Sequence, residues 1–270
     1  MRGASRQSFA SLRERLTAAV PDARLAGLVG NELFAVTGLL DSEHGLRRAL
    51  SDPAKPAAEK AAVAGALLHG KVAPVSEELV VAAVQERWAS PGDLSDGIEQ
   101  LAVEALVLRA GYERTMDDLE DELFRFGRVI AAQPDLRAVL ADPALSAEGK
   151  RGLLDTLLAG KVTPVTLTLV GQMVAHPRGR SLTAALDLCA GIVARRRDEL
   201  IAVVRTAVEL SPEHRRRLAA ALAASYGQGV HLNVVIDPSV VGGLSVQIGD
   251  ELIDGTSASR VAEVRRRLAS

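Results

Sequence analysis

Several residue groups in this 270-residue chain have types and spacings that could do chemistry. Gly65-Ala66-Leu67-Leu68-His69-Gly70-Lys71 has the spacing of a phosphate-binding loop, whose backbone N–H groups and lysine would cradle a nucleotide. Val72 stands where a Ser or Thr hydroxyl would hold magnesium, and residues 57–69 read as a helix rather than a strand entering a loop. A helix end followed by a solvated lysine accounts for the same residues. The histidines, at 44, 69, 176, 214 and 231, have no metal-ligand spacing and fall near breaks or helix starts. Cys189 lies in a Leu-Cys-Ala run and reads as a buried, inert thiol rather than a nucleophile. Asp117, Asp118, Glu120, Asp121 and Glu122 could suggest a cation site. With Thr115 before them they read instead as a solvated first helical turn, where the dipole favours acids. Arginine triplets at 195–197, 215–217 and 265–267 could meet an anionic partner. Residues 191–270 hold eleven basic and nine acidic side chains, too balanced for a nucleic-acid surface, so the triplets read as exposed helix faces. No nucleophile, base and orienting group assemble. The expectation is a chain with no catalytic, cofactor or metal residues.

Composition narrows the classes further. Lys and Arg total 32 against 34 Asp and Glu, which excludes an overall basic nucleic-acid binder and an acidic tail protein. An aromatic share of 3% argues against a surface that stacks bases or sugars. One cysteine excludes an internal disulfide framework and fits a reducing compartment. Arg13, Glu14 and Arg15 interrupt the stretch where the apolar core of a signal peptide would lie. The longest uncharged runs, 162–177 and 218–236, are broken by polar residues, prolines and glycines. A spanning helix needs about 20 predominantly apolar residues, so any membrane association is expected through a partner, without direct insertion.

The elements that would position these groups fall into two kinds. Residues 1 to about 198 read as almost pure helix, with apolar stripes at Phe9, Leu12, Leu16 and Val20, and at Leu25, Leu28, Leu33, Val36 and Leu40. Shorter helices follow at 46–50, 57–69, 75–88 and 93–112. A shift of ninety residues lays Glu32-Leu33-Phe34 on Glu122-Leu123-Phe124, Asp52-Pro53-Ala54 on Asp142-Pro143-Ala144, and Gly70-Lys71-Val72 on Gly160-Lys161-Val162. Between residues 32 and 84 that shift gives 21 identities in 53 positions without a gap, so the helical part is a duplication. Residues 5–20 shift onto 95–110, so one helix is expected to close the first copy and open the second. The domain expectation is 1–94, 95–198 (sharing the helix near 95–112) and 199–270.

After residue 199 the period changes. Strands are expected at 200–210, 230–236, 244–248 and 251–253, with a helix from Ser211-Pro212-Glu213 to Gly227 and a last helix over 257–268. Pro238 would end the second strand, because it lacks a donor. Gly242-Gly243 would permit positive φ or close backbone approach, and Gly249-Asp250 a tight turn. The fold class is therefore α+β: a mostly helical, duplicated N-terminal bundle followed by a small α/β C-terminal domain.

The segment Asp237-Pro238-Ser239-Val240-Val241-Gly242-Gly243-Leu244, then Ile248-Gly249-Asp250 and Ile253-Asp254-Gly255-Thr256 before a basic helix, resembles the C-terminal signature of the delta subunit of F-type ATP synthases, the oligomycin-sensitivity-conferring protein family. Leu136, Leu140, Pro143 and Lys150 agree with it, and the resemblance covers residues 93–270. Two departures stand out: Ser257 and Ala258 replace an apolar and a basic residue, and the family usually has one helical bundle where this chain has two overlapping copies. Composition and extended form are similar to actinobacterial versions. The resemblance implies a non-catalytic peripheral-stalk subunit on the cytoplasmic face of a bacterial cell membrane. Its helical part would hold N-terminal segments of the alpha subunits, and its C-terminal domain the end of a b-type stalk helix. Mapped from the family's apolar groove, the head-binding candidates are Phe9, Leu12 and Leu16 with Leu79, Val80 and Val84, the alternative being that they only fill the bundle core. The competing functional reading is a helical-repeat adaptor unrelated to rotary motors.

Overall fold

The computed structural model describes residues 3–254 apart from 198, 228, 239, 241, 249 and 250, and the chain divides into two compact units, Met1–Ala194 and Arg195–Ser270. The helical part comprises α1 (Ala4–Ala19), α2 (Ala23–Ser42), α3 (His44–Ser51), α4 (Ala57–Leu68), α5 (Pro74–Gln85), α6 (Pro91–Glu113), α7 (Met116–Ala132), α8 (Pro134–Ala141), α9 (Ala147–Leu158), α10 (Pro164–Ala175) and α11 (Leu182–Arg197). Local chemistry sets several of these starts. Asp22, Ser90 and Ser146 accept from the N–H groups of Leu25, Asp93 and Gly149, and proline opens α5, α6, α8 and α10, where its missing donor costs nothing.

The central element is α6. Fourteen of its 23 residues are buried, from Leu94 to Ala110, which an amphipathic surface helix cannot reach. It packs against α1, α2, α3 and α5 of the first copy and against α7 and α10 of the second. The helix that ends one copy thus opens the other.

The partner α2 corrects one expectation. Leu28 is 41% exposed, and the buried face is Ala26, Val29, Gly30, Leu33, Val36 and Leu40. Backbone approach decides this: a Cβ on Gly30 would stand 2.8 Å from the Leu106 side chain and 3.2 Å from the Ala102 carbonyl of α6. The face carrying glycine therefore docks, and the bulkier Leu25–Leu28 edge turns outward. By length and mean hydropathy (1.2) α2 is the one helix among the described residues that could cross a membrane. Its apolar face is committed to α6 instead.

The duplication is visible in detail. Gly70 and Gly160 both adopt φ +70°, closing α4 and α9 with Lys71 and Lys161 N–H bonded at 2.9 Å to the Leu68 and Leu158 carbonyls. Asp52 and Asp142 each accept from the amide two residues on at 2.8 Å. Lys60 and Lys150 are both buried, and burial lowers the Lys60 ammonium below the usual lysine value, with Asp52 opposing. The second core gathers Leu119, Leu123, Phe126 and Ile130 of α7 with Val165, Leu169 and Val170 of α10, and Phe34 of the first copy packs against it.

In the second unit β1 (Glu199–Thr206), β2 (Gly229–Ile236), β3 (Leu244–Ile248) and β4 (Glu251–Asp254) form one sheet in the order β2-β1-β3-β4. β1 and β2 are parallel, joined through α12 (Pro212–Tyr226); the other pairings are antiparallel. Ala202, Val204, Leu232, Val246 and Ile248 share a core with Leu218, Leu222 and Tyr226 of α12. Ser211 caps α12 by accepting from His214 N–H at 3.2 Å, and Gly227 ends it at φ +71°. The first strand stops at Thr206 rather than residue 210. Asp237 N–H makes the closing bond to the Thr206 carbonyl at 2.8 Å, and Pro238 follows with no donor to extend the ladder. Gly242 and Gly243 adopt φ +65° and +81°. Gly249, Asp250, Gly255 and the expected last helix lie outside the described residues.

Gly30→Ala should lower stability by about 1–3 kcal/mol through overpacking against Leu106. Gly38→Ala, on the same helix with no atom within 4 Å of a new Cβ, should be neutral or raise stability by up to about 1 kcal/mol. Urea titration of the two variants checks the contrast; equal losses would mean that the α2–α6 approach is not the cause.

Candidate functional site

The phosphate-loop spacing resolves into helix geometry. Gly65 lies inside α4, and Gly70-Lys71 is the turn beyond its end. The next turn holds a device that the repeat makes in both copies. Ala73, at the N-cap of α5, has no side-chain acceptor, and its N–H donates to both carboxylate oxygens of Glu32 from α2, at 3.1 and 3.0 Å. Ninety residues on, Glu122 of α7 accepts from Thr163 N–H at 2.9 Å, from Thr163 Oγ1 at 2.9 Å and from Thr166 Oγ1 at 2.5 Å at the start of α10. A carboxylate there satisfies orphan donors and meets the positive end of the helix dipole. Glu122 is thus buried rather than a solvated first-turn acid, while Asp117 and Asp118 do occupy the first turn of α7. Thr115 stands at the N-cap position without capping by its side chain.

A second constellation joins the two copies. Arg178, in the turn after α10, bonds Asp41 at the end of α2 through Nε (2.5 Å) and Nη2 (3.2 Å). Its Nη1 reaches Glu99 (2.6 Å) and Asp96 (3.0 Å) on α6, and Arg180 also pairs with Glu99. Burial and these carboxylates act oppositely on the guanidinium, and its pKa is raised. Arg178 holds φ +52°, a left-handed conformation that costs a non-glycine residue about 1–2 kcal/mol, and the ion network offsets it. The cavity beside this network, next to Phe34 and Cys189, encloses about 30 Å³, room for a single water. Burial pushes the Cys189 thiol up to about 12, with Glu99 adding to the shift. It is an interior side chain.

The remaining candidates are spread out. Leu12, Leu16, Leu79, Val80 and Val84 are at most 3% exposed, whereas Phe9 is half-buried. In the isolated chain, five of the six groove residues therefore serve the interior of the first copy. Nearby, α1 is stitched to the start of α6 and the turn before it: Ser5 Oγ donates to Asp93 at 2.5 Å and accepts from Ala89 N–H, and Ser8 Oγ donates to the Arg87 carbonyl. Arg196 is 3% exposed, while Arg195 and Arg197 are exposed. Among the described residues no group of three or more His, Cys, Asp or Glu is placed to hold a metal. Of the C-terminal signature, Asp237 and Pro238 end β2, Gly242 and Gly243 precede β3, and Asp254 ends β4. Sequence reasoning missed Glu32, Asp41, Glu99, Arg178 and Arg180. Only Glu32 carried a signal, its identity with Glu122 in the repeat.

The family model described as ATP synthase delta (OSCP) subunit matches residues 103–268, beginning inside α6 and leaving the first copy outside. Full-length relatives take in that copy as well. The chain is 49% identical over 269 residues to the ATP synthase subunit delta of Thermobifida fusca, 46% over 274 residues to that of Acidothermus cellulolyticus, and 45% over 270 residues to that of Streptomyces griseus. Each alignment covers 100% of both chains.

Arg178→Met should cost about 3 kcal/mol, because Asp41 and Glu99 lose a partly buried counter-ion; a loss below about 0.5 kcal/mol in urea titration would assign the network no weight. Cys189 should resist maleimide at pH 8 in the native chain and react on denaturation. Its folded pKa is raised, so its linkage leaves stability unchanged below the unfolded value of about 8.5 and lowers it as pH rises beyond. Rapid native labelling would contradict the burial.

Proposed function

The chain belongs to the ATP synthase delta (OSCP) subunit family, and from that premise we propose that it is the non-catalytic cap of the peripheral stalk of an F-type ATP synthase. It takes N-terminal segments of the alpha subunits on its helical part and the end of the b-type stalk helix on its C-terminal unit. It works at the cytoplasmic face of a bacterial cell membrane, held there by these partners. Such a subunit must resist torque between what it binds, which calls for affinity and stiffness rather than turnover. The observation that carries this reading is α6. Because one buried helix belongs to both helical copies, the two cannot pivot about a linker. The Arg178 network adds ion pairs across the same junction.

Head contact is assigned to the first copy, with Phe9 as its accessible anchor beside Leu12, Leu16, Leu79, Val80 and Val84. A half-buried aromatic on α1 can add contact area to an amphipathic helix at little entropic cost, whereas the five buried residues hold the platform beneath it. Phe9→Asp should weaken binding of an alpha N-terminal peptide by about 1–3 kcal/mol, with helix content unchanged by circular dichroism. A b C-terminal peptide should bind this variant normally. Unchanged affinity for the alpha peptide would move the head contact off the first copy, and failure of both peptides to bind the wild-type chain would sink the stator reading itself.

A further inference from the structure

The two copies share a helix plan, but their second, third and fourth helices differ in exposure. In the first copy, Leu39, Leu46 and Leu67 between α2, α3 and α4 are half-buried and Leu68 is 5% exposed. Ninety residues on, α7, α8 and α9 leave a groove of about 270 Å³ lined by Phe126, Val129, Leu136, Leu157 and Leu158. Val129 rises to 46% exposed and Leu157 to 37%. Position 35 is alanine, whereas its counterpart at the mouth of the open groove is Arg125. Lys161 stands on the same rim.

We infer that this groove on the second copy docks an acidic amphipathic helix from a protein partner. Charge argues for that occupant. The lining holds two cations, Arg125 and Lys161, and a single carboxylate, Glu122, whose oxygens are already taken by Thr163 and Thr166. Arg125 pairs with Asp121 at 2.5 Å, but both are exposed and such a pair is readily exchanged. Among the described residues Lys161 Nζ donates to the Leu157 carbonyl and pairs with no carboxylate of the groove. Apolar anchors at i, i+3 and i+4 would enter between Val129 and Leu157, with acids beside them on the cationic rim. The site is separate from the Phe9 platform, and its chemistry does not depend on the stator reading.

The test measures fluorescence anisotropy of the full chain with two designed peptides. Both carry leucines at i, i+3, i+4 and i+7; one has glutamates flanking them and the other lysines. The glutamate peptide should bind, the lysine peptide at least about tenfold more weakly. Val129→Glu should lower glutamate-peptide affinity at least about tenfold, and Arg125→Glu/Lys161→Glu should reverse the preference. These positions are exposed, so thermal midpoints should stay unchanged. Lys71→Glu, the first-copy counterpart of the Lys161 change, and Phe9→Asp should leave binding intact. Equal binding of both peptides, binding untouched by Val129→Glu, or loss on Lys71→Glu would overturn the proposal. A dimer of the chain that Val129→Glu dissolves would give the groove to a second copy and overturn it too.

Discussion

The helical part depends on the approach of α2 to α6. Gly30 places backbone where a methyl group would collide with Leu106, so the two helices pack closely and bury the rest of α6 from the other sides. A helix buried on every face cannot belong to one bundle alone. Its surface at Val103, Val107 and Ala110 must be covered by something else, and here that is the second copy, whose core takes these residues in. Duplication and stiffness are thus one physical fact: the second bundle completes the first helix set rather than hanging from it.

Packing brings the copies together, while the ion network fixes how they meet. Arg178 is held in a left-handed conformation by carboxylates from two helices of the first bundle. Partly buried ion pairs contribute modest net stability, but they penalise misalignment, because a shift of one turn would leave Glu99 without its partners. Phe34 adds an apolar contact across the same boundary, while its counterpart Phe124 is 64% exposed. The copies have therefore diverged in use: the first spends its phenylalanine on joining, the second leaves the equivalent position to solvent.

A carboxylate from the second helix of each copy caps the fifth, and this is the most specific trace of common origin in the structure. Glu32 serves a cap residue, Ala73, that offers no acceptor of its own. Glu122 serves Thr163, which can also cap its own helix, and the extra hydroxyls draw it into a denser network. Thr163 in place of Ala73 supplies one of the extra bonds; the other comes from Thr166, whose counterpart Ser76 has a buried hydroxyl with no partner among the described residues.

Much of this was legible in the sequence, where the physics is local. Apolar period, the helix cap Ser211, the terminating Gly70, Gly160 and Gly227, and the ninety-residue repeat all depend on neighbours along the chain, as does the change to strands after residue 199. The C-terminal pattern through Asp237, Pro238, Gly242 and Gly243 was enough to name the family. Tertiary structure decided the rest. Which stripe of α2 is buried turned on how near another backbone could come, so Leu28 lost to Gly30. Strand β1 ended four residues early because its partner met Pro238. Glu122, placed like any first-turn acid, was claimed by a helix forty residues away, and Arg178 found carboxylates on α2 and α6. Spacing along the chain records what a residue can do; which distant donor, charge or methyl group stands opposite it exists only once the helices have packed.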